Sequence, residues 1–185
     1  MATLFHVPDR WERFRSRIDE DVIPLKKKMV ITIYGSYTPE NELRFLEKQR
    51  DFLIKNGYEK TKLVKEYHEQ SPSLTSYQVS KDCLLYSDVN FFIFTKEGKN
   101  QGVTVELHIA ATDDAMADKV KHCIVFDQIK DNYGSISPLS IDAMDNVGII
   151  KRDFVSEEDL QTALLQKAFL SLRMLQNILR KRQSI

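Results

Sequence analysis

Two patterns of apolar and polar residues alternate along this chain. Short runs of consecutive apolar residues, many of them β-branched or aromatic, predict buried strands, and longer stretches with an apolar residue every three or four positions predict helices. The predicted strands are residues 29–34, 62–64, 89–94, 122–126 and 147–150. The predicted helices are residues 40–55, 74–86, 103–116 and about 156–182.

The alternation of strands with helices defines a fold class. Residues 89–94 are nearly all apolar, which is typical of a central strand that is covered on both faces. We therefore predict an α/β fold, a flavodoxin- or Rossmann-like open sheet of about five mostly parallel strands with helices on both faces. Residues 68–73, which include Pro72, are predicted to form a polar loop, and residues 127–146 are predicted to be irregular.

Both ends of the chain are predicted to carry extra helices with an apolar stripe. Residues 9–22 have apolar side chains at steps of three, four and four, which predicts a helix that docks on the domain or on a second subunit. The predicted organisation is a helical extension, residues 1–28, followed by a single α/β domain, residues 29–185. Two striped terminal helices favour a homodimer or a larger closed assembly.

Composition and charge narrow the class of protein. Of the 185 residues, 42% are hydrophobic, and 27 basic residues balance 27 acidic ones, which is typical of a soluble globular protein and disfavours a nucleic-acid partner. The chain contains no run of about 18 apolar residues, so we predict no membrane-spanning helix. The N-terminus is charged from Asp9 onward and has no signal-peptide pattern, so we expect a cytoplasmic protein. Cys83 and Cys123 each stand alone in an apolar run and are expected to be buried and reduced.

Candidate binding groups follow the predicted strands. In an open parallel sheet, ligands bind outside the carboxyl ends of the strands. Residues 34–37, residues 95–102 and Asp127 should therefore converge on one rim. Gly35 and Ser36 before a helix can bind an anion or a ribose hydroxyl through backbone N–H groups, although an ordinary turn also needs a glycine. The chain has no dinucleotide-binding or P-loop glycine motif, and its four histidines lack metal-ligand spacing, so no metal site is expected.

Glu106 is the most distinctive candidate for chemistry. It follows Gly102 by four positions and is predicted to lie in the first turn of a helix, among apolar neighbours. A carboxylate near a helix N-terminus is stabilised as an anion, whereas one on an apolar face is desolvated. Such a group can attack or stabilise a cationic sugar carbon; the alternative is a surface glutamate that favours the helix start. Asp82 and Asp88 flank the end of the preceding helix, where the residues alone favour solvated helix carboxylates, and Asp88 is expected at the amino end of the next strand, away from the site.

Three segments together resemble the nucleoside 2-deoxyribosyltransferase-like superfamily. They are Ile31–Ser36 (ITIYGS), Lys81–Asp88 (KDCLLYSD) and Gly102–Ala110 (GVTVELHIA), and the resemblance covers roughly residues 29–126. The last segment is similar to the family's G-x-x-x-E-L-x-x-A signature, in which the glutamate is the nucleophile. The resemblance implies cleavage or transfer at the N-glycosidic bond of a nucleoside or nucleotide, without a cofactor.

The resemblance also implies roles for individual residues. Glu106 would attack the anomeric carbon, and Asp82 would help to protonate the leaving base or orient the sugar. The residues implied for the substrate pocket are Tyr34, Gly35, Ser36 and Tyr37 around the base and sugar, with Asn100 and Gly102 in the loop over the sugar. The turn after the first strand has no arginine before Arg44, so recognition of a phosphate stays open.

Two alternatives remain beside this interpretation. The order of elements, with a glutamate on the helix after the central strand, is also similar to Toll/interleukin-receptor (TIR) domains, whose enzymatic members cleave NAD. The Trp-Cys pair that often precedes Glu-Leu in those domains is replaced here by Thr104 and Val105, which favours the deoxyribosyltransferase-like interpretation. The other alternative is a non-catalytic nucleotide-binding or scaffold module.

Overall fold

Five parallel strands form the centre of the computed structural model, which describes residues 22–130 and 134–183. The strands are β1 (Val30–Gly35), β2 (Lys60–Leu63), β3 (Val89–Phe94), β4 (Cys123–Gln128) and β5 (Ile150–Phe154). They lie side by side in the order β2-β1-β3-β4-β5, and every neighbouring pair is parallel. This is the flavodoxin-like strand order, so the predicted fold class is confirmed.

Helices cover the sheet on both faces. They are α1 (22–28), α2 (Glu40–Lys55), α3 (Val64–Gln70), α4 (Ser76–Tyr86), α5 (Gln101–Thr112), α6 (Pro138–Val147) and α7 (Glu157–Gln183). Two short 3-10 helices separate α5 from β4. The predicted N-terminal helix lies outside the described residues except for Val22, and the division between residues 28 and 29 stays a prediction, as does the homodimer. Among the described residues, no helix is both long and apolar enough to cross a membrane.

The two faces of the sheet carry separate apolar cores. Side chains of β1 alternate between them: Ile31 and Ile33 pack with α2 and α7, whereas Tyr34 packs with α4 and α5. Every residue of β1 and β3 is buried. Because α2 follows β1 on one face and α5 follows β3 on the other, the connections after these two adjacent strands diverge. A crevice is expected at such a point, at the carboxyl edge of the sheet.

Three elements differ from the sequence prediction. Residues 64–70 form α3 where a polar loop was predicted from residue 68, because Glu66 accepts a hydrogen bond from the Leu63 N–H (2.8 Å) and caps the helix start. Residues 138–147, predicted to be irregular, form α6, whose N-cap Ser137 accepts a bond from the Ser140 N–H.

The last strand lies at residues 150–154 rather than 147–150. As an edge strand it buries only Phe154 fully, so that it has no apolar run in the sequence. Ile149, which suggested a strand before this point, is buried instead in the core beneath α6.

Gly35 marks a close approach at the end of β1. A Cβ atom there would lie 2.7 Å from both Leu46 methyl carbons and 3.3 Å from the Ile93 carbonyl oxygen, and Leu46 is itself buried in the core. We predict that Gly35→Ala lowers the free energy of unfolding by about 1–3 kcal/mol, because Leu46 must move in a packed core. Urea unfolding monitored by circular dichroism measures the change.

Gly102→Ala is the matched control. Gly102 lies in α5, and a Cβ atom there meets nothing within 4 Å. Alanine is a better helix residue than glycine by roughly 0.5–1 kcal/mol, so this variant should be neutral or more stable. Equal destabilisation by both substitutions would contradict the close contact at Gly35.

Candidate active site

Glu106 is buried between α4 and α5 near the carboxyl edge of the sheet. Only 8% of its surface is exposed. The Ser80 hydroxyl of α4 lies 3.1 Å from Oε1 of Glu106 and donates a hydrogen bond to it. The other oxygen, Oε2, has no hydrogen bond to the described residues, yet it is not among the fully buried atoms that lack a partner. Among the described residues, Ser80 is therefore the one hydrogen-bond partner of the Glu106 carboxyl group.

The position of Glu106 within its helix corrects the sequence prediction. The helix was expected to begin at Val103, but Asn100 adopts a left-handed conformation (φ 51°) and α5 begins at Gln101. Glu106 therefore lies in the second turn of the helix instead of the first. Since the favourable effect of a helix N-terminus fades beyond the first turn, burial dominates the electrostatics of this carboxyl group.

Burial raises the pKa of Glu106 from an ordinary value of 4.5 to about 8, and the hydrogen bond from Ser80 lowers it in part. The carboxyl group faces phenol and thiol groups. Burial, followed by smaller effects that include Glu106, raises the pKa of Tyr34, Tyr37 and Cys83. No cationic side chain of the described residues forms an ion pair with Glu106. Among the described residues, Glu106 thus has a hydroxyl partner and no charged one.

Tyr34 and Tyr37 lie next to this acid but use their hydroxyl groups within the protein. Tyr34 is fully buried, stacks on Phe92 with ring centroids 4.8 Å apart, and donates a hydrogen bond to Asn90 (3.2 Å). Tyr37 follows β1, and its hydroxyl accepts a bond from the Lys65 N–H at the start of α3 (3.1 Å). Tyr34 is thus a core residue, and Tyr37 connects the turn after β1 to α3.

Ser36 connects the two loops at the switch point. Its hydroxyl donates to the Thr38 carbonyl (2.8 Å) and accepts from the Lys99 N–H (3.1 Å). The loop after β3 approaches so closely that a Cβ atom on Gly98 would lie 2.7 Å from Cβ of Ser36. The crevice between β1 and β3 is therefore filled by this loop, and Ser36 holds the two segments together.

Asn100 and Gly102 take different places from those implied by the resemblance. The Asn100 amide donates to the Thr95 carbonyl (2.7 Å), which closes the loop on itself, and its buried oxygen has no partner among the described residues. Gly102 is an exposed residue of α5, so it does not belong to a loop over a sugar. The space on the side where a Cβ atom would stand is open.

Asp82 lies on another side of α4 from Ser80. Residues two apart on a helix point in directions separated by roughly 200°. Asp82 is exposed and lines a groove of about 240 Å³ between α3 and α4, together with Tyr67 and Tyr86. The structure therefore brings Ser80, and not Asp82, into contact with Glu106. Sequence reasoning missed Ser80, although its place between Val79 and Cys83 on the buried side of a predicted helix was a usable signal.

Two clefts open at the carboxyl edge, one on each side of Thr95 and Lys96. The first, about 650 Å³, lies between the loop after β3, the start of α5 and residues 134–137. The second, about 560 Å³, lies against α2 and is lined by Glu42, a second buried carboxylate that accepts a hydrogen bond from Thr95. Exposed Val105 lines the first cleft, whereas the next residue, Glu106, is buried and is not part of that lining.

Among the described residues, no cluster of histidine, cysteine, aspartate or glutamate side chains has the arrangement of a metal site. The site thus consists of one buried carboxyl group, hydroxyl and thiol neighbours, and an adjacent polar cleft.

Comparison with known proteins gives a distant structural neighbour. No protein-family model matches the chain, and no curated protein sequence matches it. Among solved structures, the chain is similar to a CMP N-glycosidase, BcmB, from Clostridium botulinum, with a TM-score of 0.46 and 14% sequence identity. The similarity covers 72% of this chain and 96% of that one. At this level, neither a substrate nor an activity follows for this chain.

The environment of Glu106 predicts a pH-dependent stability. In the unfolded chain the carboxyl group loses its proton near pH 4.5, whereas in the folded protein it keeps the proton to about pH 8. Between these values the unfolded state binds fewer protons, so the contribution of Glu106 to the free energy of unfolding decreases as the pH rises, by at most about 1.4 kcal/mol per pH unit. Urea unfolding of the wild type and Glu106→Gln from pH 5 to 8 measures it.

Glutamine cannot ionise, so this variant should gain stability relative to the wild type as the pH rises. The difference between the two proteins isolates Glu106 from all other titrating groups. A constant difference over this range would mean that Glu106 is ionised in the folded protein at every pH tested.

Proposed function

We propose that this protein cleaves or transfers the N-glycosidic bond of a nucleoside or nucleotide, with Glu106 as the catalytic carboxylate. The observation that carries the proposal is a buried acid at the carboxyl edge of a flavodoxin-like sheet, with one oxygen bound by Ser80 and no hydrogen bond to the other from the described residues. Ligands of such sheets bind at this edge, and strongly shifted acids concentrate at functional sites.

The chemistry of the bond suits this environment. Cleavage at a sugar's anomeric carbon develops positive charge on the ring, and a carboxylate with little solvent around it stabilises that charge strongly or bonds to the carbon. In the proposed step an oxygen of Glu106 bonds to the anomeric carbon while the carbon–nitrogen bond breaks. The electron pair of the carbon–nitrogen bond leaves with the base, and the base takes up a proton. Water or a second base then displaces Glu106 from the sugar.

The ionisation state of Glu106 sets a condition on this step. With a pKa of about 8, the group is largely protonated at neutral pH in the free protein. Positive charge that develops on the sugar carbon beside Glu106 favours loss of the Glu106 proton. The carboxylate that the reaction needs is therefore favoured once the substrate is in place. Activity should therefore rise toward alkaline pH as the ionised fraction of Glu106 grows.

A non-catalytic nucleotide-binding module is the second candidate. The hydroxyl groups of Ser36, Tyr34 and Tyr37 all make hydrogen bonds within the protein, so three side chains expected to contact a substrate have internal partners. NAD cleavage of the TIR type would use the same glutamate. A single set of assays distinguishes these three possibilities.

We predict that Glu106→Gln keeps the fold and loses activity by several orders of magnitude, because an amide can neither bond to the sugar nor stabilise its charge as a carboxylate does. The measurement is release of free base, followed by chromatography, from nucleosides, nucleoside monophosphates and NAD. Glu59→Gln is the control, since Glu59 is exposed beside the amino end of β2 and pairs with Lys27.

Each result decides between the candidates. Cleavage that survives in Glu106→Gln would refute the catalytic role. No cleavage of any substrate by the wild type, combined with a thermal shift in the presence of nucleotide, would favour the binding module.

Asp82 as the proton donor to the base stays a prediction of the sequence. If it has that role, Asp82→Asn should lower the rate by roughly 10²–10⁴-fold, which is typical of general acid catalysis. Since Asp82 is exposed in a groove on another side of α4, an unchanged rate would assign the proton to solvent or to another group.

A further inference from the structure

Ser80 makes the one hydrogen bond that Glu106 receives from the described residues. Its hydroxyl oxygen lies 3.1 Å from Oε1 of Glu106, and Ser80 itself is 3% exposed. Both side chains project from helices, Ser80 from α4 and Glu106 from α5, so their backbones are fixed by helical hydrogen bonds. The contact therefore defines which way the carboxyl group turns.

The other groups around Glu106 cannot replace this contact. Glu106 contributes, after burial, to the raised pKa of Tyr34 in β1, of Tyr37 in the turn after it and of Cys83 in α4. All three are uncharged at neutral pH, and the Tyr34 hydroxyl donates to Asn90. No lysine, arginine or histidine of the described residues forms an ion pair with Glu106. Ser80 is thus the one neighbour among them that favours the ionised form.

We propose that Ser80 is a positioning residue for Glu106. Its hydroxyl directs Oε1 toward α4 and favours the carboxylate over the protonated acid. This inference rests on the proposed function only in giving the carboxylate a catalytic role. The contact with Ser80 and its effect on the ionisation of Glu106 can be measured in the protein without a substrate.

The test is a carbon-13 NMR titration of the glutamate side-chain carboxyl groups in the full chain. The Glu106 signal is assigned by its loss in Glu106→Gln. In the wild type its midpoint should lie near pH 8. In Ser80→Ala the carboxylate loses a hydrogen bond to its charged form, so its proton affinity should rise about tenfold, or one pKa unit.

Three further variants make the result specific. Ser171→Ala removes a hydroxyl from a buried serine of α7, on the other face of the sheet, and should leave the midpoint unchanged. Ser80→Thr keeps a hydroxyl and should restore the midpoint. Ser80→Cys keeps the size of the side chain with a weaker donor, so it should give a smaller shift in the same direction, and it serves if Ser80→Ala fails to fold. An unchanged midpoint in both Ala and Cys variants would overturn the inference.

Activity measurements separate this inference from the proposed function. If the protein cleaves a glycosidic bond, Ser80→Ala should lower kcat more than it raises KM and move the rising limb of the pH profile to higher pH. If no substrate is cleaved but the NMR midpoint shifts, the proposed function fails and the positioning role of Ser80 stands. If cleavage occurs and neither the midpoint nor the pH profile changes in the Ser80 variants, the proposed function stands and the positioning role of Ser80 fails.

Discussion

The structure depends on the complete burial of two adjacent parallel strands, β1 and β3. Every residue in both is buried, and their side chains alternate between two apolar cores on opposite faces of the sheet. A strand covered on both faces has few positions for polar side chains, and the two here, Thr32 and Asn90, are buried with hydrogen-bond partners. The polar groups of this region therefore collect in the turns after Gly35 and Phe94, where the chain leaves β1 for one face and β3 for the other.

Close packing at this point has a consequence for any site. Gly35 lies against Leu46, and Gly98 lies against Ser36, so the two turns touch. The space usually available between such turns is filled by protein, and the open clefts lie to either side. The first of these clefts is lined by Val105 and the start of α5. Glu106 itself lies on the side of α5 that packs against α4, where it is shielded from bulk water.

Burial of Glu106 also lowers the stability of the folded protein when the carboxyl group is ionised. Charging a carboxyl group without a cationic partner in an apolar environment is unfavourable, and the protein counters it with one hydroxyl from Ser80. Glu42 and Asp127 are also buried at this edge: Glu42 accepts a hydrogen bond from Thr95, and Asp127 forms an ion pair with Lys151. Three buried acids distinguish this end of the sheet from the amino end, where Asp88 bonds a backbone N–H.

The sequence by itself determined the fold class, because continuous apolar runs such as residues 89–94 have few alternatives to a buried strand. It also singled out Glu106, an acid among apolar neighbours. It did not predict the position of β5, because this edge strand is mostly exposed and carries polar residues such as Lys151 and Asp153. It also did not identify the partner of Glu106. Ser80 and Asp82 are two residues apart, and only the packing of α4 against α5 decided which of them faces the acid. Local sequence specifies periodicity and polarity, but the rotation of a helix about its own axis is set by what it packs against.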